Sequence, residues 1–169
     1  MIAVLPTIGD WFSALYIILP MYCANGAPVI FGGGRPIDLG RNFVDGERLL
    51  GDHKTFRGFF SGLIVGVVVG AVCSYLFSRN LMGIAIPASL GALLGDIAGA
   101  FIKRRLKIKP GGPLPIVDQL DFVLGAIILV SVFSTISLPV VLILLLVTPP
   151  IHLLTNVGAF ALGLKDHYW

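Results

Sequence analysis

Charge is what this sequence has least of. Asp, Glu, Lys and Arg make up 12% of its residues, where soluble domains carry about 25%, so there is too little polar surface to meet water on every side. Cysteine is sparser still. Cys23 and Cys73 stand singly inside apolar runs, without metal-ligand spacing, which excludes a disulfide scaffold and leaves buried packing as their role. The opening stretch MIAVLPTIGDWF has neither a basic leader nor a small-residue cleavage site, so no removable signal is expected. There is no internal duplication, no low-complexity tract and nothing that points to nucleic acid as a partner.

Hydrocarbon is what the chain has in abundance. Its 169 residues are 56% hydrophobic, with a mean hydropathy of +0.94. Apolar runs of about 20 residues, enough to cross ~30 Å of lipid, recur along it. They predict an all-α integral membrane protein, a single transmembrane domain over residues 1–169 built as a five-helix bundle. The spans fall at about 11–31, 58–78, 81–102, 118–137 and 139–163, with two basic loops at 32–57 and 103–117. Pro20 and Pro28 interrupt the first span and Pro149–Pro150 the last, so both are expected to be kinked or broken.

The basic residues orient the bundle. Of twelve, five lie in the first loop (Arg35, Arg41, Arg48, Lys54, Arg57), five in the second (Lys103, Arg104, Arg105, Lys107, Lys109), and Lys165 falls on the same side; only Arg79 falls opposite. The positive-inside rule then makes both loops and the C-terminus cytoplasmic and puts the N-terminus outside, in a multi-pass protein of the cytoplasmic membrane. Gly62, Gly66 and Gly70 in the second span, and Gly91, Gly95 and Gly99 in the third, recur every fourth residue, a spacing that lets these two helices cross closely. Such a stripe serves a monomer or a homodimer equally.

Against this apolar background a few polar residues stand out. Asp96 lies inside the third span, seven residues before Lys103, which at 1.5 Å per residue puts it about 10 Å below the basic edge. A carboxylate in a span ordinarily faces a partner or a wet cavity, and an ion pair with Lys103 or Arg104 is the simplest arrangement. Asp118 and Asp121, in IVDQLDF at the start of the fourth span, share one helix face and sit where negative charge suits a helix N-terminus. Three carboxylates converging opposite the basic loops have a second meaning, as a site for Mg²⁺ and a polyphosphate: hard cations take carboxylate and phosphate oxygens, and Lys and Arg bind the remaining phosphate charge. The glycine-rich first loop ends in Lys54, Thr55 and Arg57 as the second helix begins, a place suited to anions or to a solvated connector. It is not a P-loop, because GDHKT lacks the glycine before lysine. Asn25 and Asp38 flank it as weaker candidates for ligand contact or loop organisation. His152 and Asn156 suit interhelical hydrogen bonding.

The residues GD at 95–96, KR at 103–104, a glycine-proline stretch and D-x-x-D at 118–121 resemble the signature of the membrane CTP transferases that make CDP-diacylglycerol. AN at 24–25, PID at 36–38, DGERLLGDHKTFRG at 45–58 and the tail HLLTNVGAFALGLKDHYW at 152–169 bring the resemblance closer to the archaeal CDP-archaeol synthase branch, over most of the chain. The chain departs from the broader signature at Lys109–Pro110, at PGGPLP (110–115), which carries no histidine, and at Gln119. The resemblance implies a nucleotidyltransferase of phospholipid biosynthesis. It would use CTP, Mg²⁺ and an isoprenoid lipid phosphate (digeranylgeranylglyceryl phosphate, an unsaturated archaetidic acid), and release pyrophosphate. Asp96, Asp118 and Asp121 are the expected catalytic and metal residues. Asn25, Asp38, Lys54, Thr55, Arg57, Lys103 and Arg104 are the expected contacts to CTP and its phosphates. A CTP-dependent polyprenol or lipid kinase and a small cation transporter are the alternatives.

Overall fold

A computed structural model of the chain describes residues 5–77, 79–109 and 112–164. Lys165 and the tail after it, and residues 110–111 of the proline-glycine stretch, lie outside the described residues. Five α-helices account for the fold: α1 (Ile8–Phe31), α2 (Phe56–Leu76), α3 (Met82–Arg105), α4 (Val117–Phe133) and α5 (Leu138–Ala161). Among the described residues the only β pairing is two isolated bridges, Pro36 with Thr55 and Asn42 with Arg48, both inside the first long loop. The all-α reading therefore holds, and both long loops lie at one end of the bundle, called the basic end below.

Four helices, α1, α2, α3 and α5, are long and apolar enough to cross a membrane. With 17 residues α4 is shorter, about 26 Å at 1.5 Å per residue, at the low limit of a span. It was expected to run to 137, but Ser134 takes an extended conformation (φ −150°, ψ 143°) and closes it. Small polar residues and the approach to Pro139 favour a turn there over a last helical turn. α3 departs in the other direction: it continues through Lys103, Arg104 and Arg105, where cations complement the helix C-terminus. α1 starts three residues early because Thr7 and Asp10 form a reciprocal capping box.

The prolines break neither α1 nor α5. Pro20 and Pro28 lie within α1 and Pro149 and Pro150 within α5, and both helices are continuous. Each proline removes one donor from the ladder, a loss that helices packed among neighbours in lipid absorb. The Tyr22 hydroxyl donates to the Thr148 carbonyl at 3.1 Å, tying α1 to the proline pair of α5.

α3 packs against α1, α2 and α4, while α5 leans on α4 and α1. Lipid is as apolar as leucine, so these seams rest on close van der Waals contact rather than on exclusion of water. A Cβ at Gly62 would meet the Ala24 carbonyl and Leu93, and one at Gly66 would meet Ser89 and Ala24. The expected close crossing of α2 and α3 holds on the α2 side, where Gly62, Gly66 and Gly70 abut Leu93, Ser89 and Ala85 of α3, but the α3 glycines do not face α2. They face α4, where Gly91 and Gly95 abut Gly125, Asp121 and Phe122 backbone. The α3–α4 seam is thus the tightest crossing, and it carries all three of the acids singled out above. Met21, Phe122, Val123, Ala126 and Leu144, none more than 1% exposed, fill the centre of the bundle, and Ile64, Val68, Leu146 and Leu154 project from its outside.

Candidate functional site

The first loop is a folded unit rather than a solvated connector. Its organiser is Asp38, whose side chain is fully buried. Oδ1 accepts from Gly40 N at 3.0 Å and Arg48 Nη2 at 2.7 Å, and Oδ2 from Arg48 Nε at 3.3 Å, Leu50 N at 3.0 Å and Gly51 N at 3.0 Å. Gly40 and Gly51 adopt φ of 80° and 100°, the left-handed side open to glycine, which turns their N–H groups inward. Burial works against the charged form of Asp38, but the Arg48 guanidinium and the three backbone donors outweigh it and hold the carboxyl well below the usual carboxylate range. With its lone pairs taken, Asp38 organises the loop here and has no oxygen left for a ligand.

The loop delivers Lys54 and Thr55 to the mouth of α2. The Ile37 N–H donates to the Lys54 carbonyl at 2.8 Å and the Phe56 N–H to the Arg35 carbonyl at 3.1 Å, so both sides of the segment are seated. Thr55 is the N-cap of α2, 3% exposed, and its hydroxyl accepts from Gly58 N at 3.1 Å. A pocket of about 30 Å³ opens beside it, lined by Lys54, Thr55, His53, Asp96 and apolar residues including Phe59 and Leu93. Within it Lys54 Nζ donates to Asp96 Oδ2 at 2.6 Å. Asp96 is therefore paired across 42 residues of sequence, not with Lys103 or Arg104 on its own helix.

Lys103 serves the second acid. Its Nζ lies 2.9 Å from both oxygens of Asp118, and Leu114 N donates to Asp118 Oδ2 at 2.9 Å. The Asp118 N–H returns to the Leu114 carbonyl at 3.0 Å, so the turn entering α4 is closed from both sides. Ile116 sits inside that turn at φ 70°, ψ −53°, with a Val117 N–H to Pro115 carbonyl bond of 2.9 Å. A β-branched residue in this three-residue turn is strained by about 1–3 kcal/mol, and the Asp118 bonds hold it there. Asp121, one turn further, lies against Gly99 of α3, and its Oδ1 accepts the Phe122 N–H at 2.6 Å. Asp96, Lys54 and Asp118 all lie within electrostatic reach of Asp121.

Arg104 is only 5% exposed, and its Nε and Nη1 have no acceptor among the described residues. A buried guanidinium with idle donors is costly unless an anion completes it. The side chain of Asn25, half-buried on α1, makes no hydrogen bond among the described residues. Arg57 is exposed on the first turn of α2 and does not line the pocket. His152 and Asn156 approach each other at 3.2 Å, and the His152 ring lies 5.7 Å from Phe122.

Three carboxylates offer the hard oxygen donors that a divalent cation such as Mg²⁺ takes. As placed, no three His, Cys, Asp or Glu side chains among the described residues close on one point. Ammonium groups instead cover one oxygen of Asp96 and both of Asp118. The donor chemistry fits such an ion once the lysines turn away and phosphate oxygens complete the shell. Sequence reading counted Arg48 and Arg105 only as orienting charge and passed over His53, since none of the three lies deep in an apolar span that would make it conspicuous as a site residue.

Fold and site together define a multi-pass membrane protein whose acids and cations are drawn together where two loops meet a helix seam. Residues 5–169 match the family described as CarS-like CDP-archaeol synthase. The CDP-archaeol synthase of Thermofilum pendens is 51% identical over 95% of this chain and 82% of its own length. That of Methanocaldococcus jannaschii is 42% identical over 94% and 97%. The solved structure of an intramembrane enzyme for archaeal membrane lipids biosynthesis superposes with a TM-score of 0.81 at 38% identity, covering 86% of this chain and 94% of that one. The chain belongs to the CDP-archaeol synthase family.

Proposed function

We propose that the protein is a magnesium-dependent cytidylyltransferase that joins CTP to digeranylgeranylglyceryl phosphate, giving CDP-archaeol and pyrophosphate. Beyond family membership, one observation carries the reading: Lys54 of the first loop on Asp96 and Lys103 of α3 on Asp118, with Asp121 in reach, gather acids and cations at the basic end of α3 and α4. The whole chain acts as one transmembrane domain. By the positive-inside rule the basic end faces the cytoplasm and the N-terminus lies outside, so CTP arrives from water and the lipid from the membrane.

An oxygen of the lipid phosphate attacks the α-phosphorus of CTP. A new phosphoanhydride bond forms, the bond from the α-phosphorus to the bridging β-oxygen breaks, and pyrophosphate leaves with that electron pair. The nucleophile is already an anion, so no general base is needed, and catalysis consists of positioning and charge neutralisation. Magnesium, when bound to Asp96, Asp118 and Asp121, supplies charge neutralisation for the polyphosphate. Lys54 and Lys103 leave their carboxylates for phosphate oxygens, and the idle donors of Arg104 meet a third. Thr55, as N-cap, fixes the start of α2, whose dipole favours the anion. Asn25 offers an unpaired amide to base or ribose, Asp38 holds the loop, and Arg57 adds positive charge at the mouth. An ion pathway is disfavoured by the dry centre at Met21, Phe122 and Ala126.

The test is CTP labelled separately at the α and γ positions, with Mg²⁺ and the lipid phosphate. The α label is expected in the lipid and the γ label in pyrophosphate. The γ label in the lipid would make the protein a kinase and overturn the reading.

A further inference from the structure

Arg105 lies outside the pocket and touches none of its lining, yet it is the bolt between the end of α3 and the first loop. Its guanidinium carbon stands 4.6 Å from the Phe43 ring centre and 4.8 Å from that of Phe101, the two rings meeting edge-on at 5.4 Å. Nη1 donates to Asp45 Oδ1 at 2.9 Å and Nη2 to the Arg48 carbonyl at 2.6 Å. Arg105 thus holds the turn that carries Arg48. Arg48 forks onto Asp38, Asp38 gathers the N–H groups of Leu50 and Gly51, and three residues later Lys54 reaches Asp96.

We infer that Arg105 is a positioning residue for the nucleotide: by seating the first loop on the end of α3 it fixes where the Lys54 ammonium stands over Asp96. The inference rests on the proposal that Lys54 meets CTP phosphates. It follows from the arrangement of contacts, since the same loop segment makes no comparable bond to α4 or α5 among the described residues. Only a planar fork can lie against two rings while donating sideways to a carboxylate and a carbonyl. Because the proposal gives Lys54 to CTP, the effect is expected on CTP rather than on the lipid phosphate.

The test uses the full-length protein in detergent and the variants Arg105→Ala, Arg105→Lys, Asp45→Ala and the double variant Asp45→Ala/Arg105→Ala. Arg105→Ala is expected to raise KM for CTP about tenfold, equivalent to ~1.4 kcal/mol, with kcat and the KM for lipid phosphate within about threefold. Lysine should leave most of that defect, and Asp45→Ala should add nothing once Arg105 is alanine. An unchanged KM for CTP in a monodisperse Arg105→Ala protein, an equal rise in both KM values, or full rescue by lysine overturns the inference. Should Arg105→Ala fail to fold, Asp45→Ala and Phe43→Leu carry the test with the same selective rise expected and a flat KM overturning it. Limited proteolysis of 43–52 reads the seating without turnover. Faster cleavage in Arg105→Ala supports the inference and unchanged cleavage overturns it, even if wild-type protein moves no label and the transferase reading fails.

Discussion

Asp38 and Asp121 are both carboxylates withdrawn from water near the basic end, and the protein treats them in opposite ways. In the first loop, Asp38 receives two side-chain and three backbone hydrogen bonds, all from residues within 13 positions of it. On the α3–α4 seam, Asp121 receives, among the described residues, only the N–H of its own neighbour, Phe122, and faces two more acids and one lysine within electrostatic reach. Asp96 and Asp118 also differ from Asp38, since each is held chiefly by a lysine at the end of a flexible stem. A saturated acid stabilises structure, because any change leaves donors stranded. An acid balanced by a mobile ammonium is available for exchange, because the ammonium can be given to phosphate and the carboxylate to a metal.

The comparison is sharpest where chemistry is at stake. Asp118→Asn and Asp96→Asn are each expected to lower turnover by at least ~10²-fold, while the detergent-solubilised protein keeps its helix content and elution volume. A fully active variant of either would break the division between the two kinds of acid, and loss of folding would move that residue to the structural side. The next effect falls on the loop. Asp38→Ala strands Arg48 and three backbone donors, a change on the order of 3 kcal/mol, and should speed hydrogen exchange at Leu50 and Gly51 without unfolding the bundle. Because the folded loop lowers the Asp38 pKa, its contribution is complete above the ordinary carboxylate value of about 4 and fades only as pH falls through the lowered one. Exchange at these amides should then stay flat from pH 7 to about 4 once corrected for intrinsic rates; opening near pH 5 would contradict the assignment. Arg57→Ala should do least. The side chain is exposed and bonded to nothing among the described residues, so stability should shift by less than ~0.5 kcal/mol and turnover by about threefold at most. A hundredfold loss would mean that the loop moves to bring Arg57 into the pocket.

Much of the architecture was legible because lipid imposes a simple rule. Apolar runs mark the helices, and carboxylates within them mark themselves, which is why Asp96, Asp118 and Asp121 stood out. The first long loop was not legible in that way. Nothing local says that Asp38 is an organiser and not a ligand contact, since the distinction depends on Arg48, Leu50 and Gly51 folding back onto it. Lys54 was visible as a cation near a helix start, but its partner lies 42 residues away and came from tertiary packing alone. Equal glycine spacing on α2 and α3 pointed to one shared seam. A helix has more than one face, however, and the α3 glycines turned theirs to α4.

Gly99 deserves one more step. The bare hydrogen at this position leaves the Asp121 carboxylate lodged at the crossing of two backbones, where an alanine would collide with it. Side chains on an open surface give up rotational freedom when they grip a ligand. Asp121 has surrendered that freedom on folding, when α3 closed over it. A ligand held by Asp121 as proposed would therefore be spared the entropy of ordering this acid, and the missing methyl group of residue 99 would then be a contribution to affinity made before any ligand arrives.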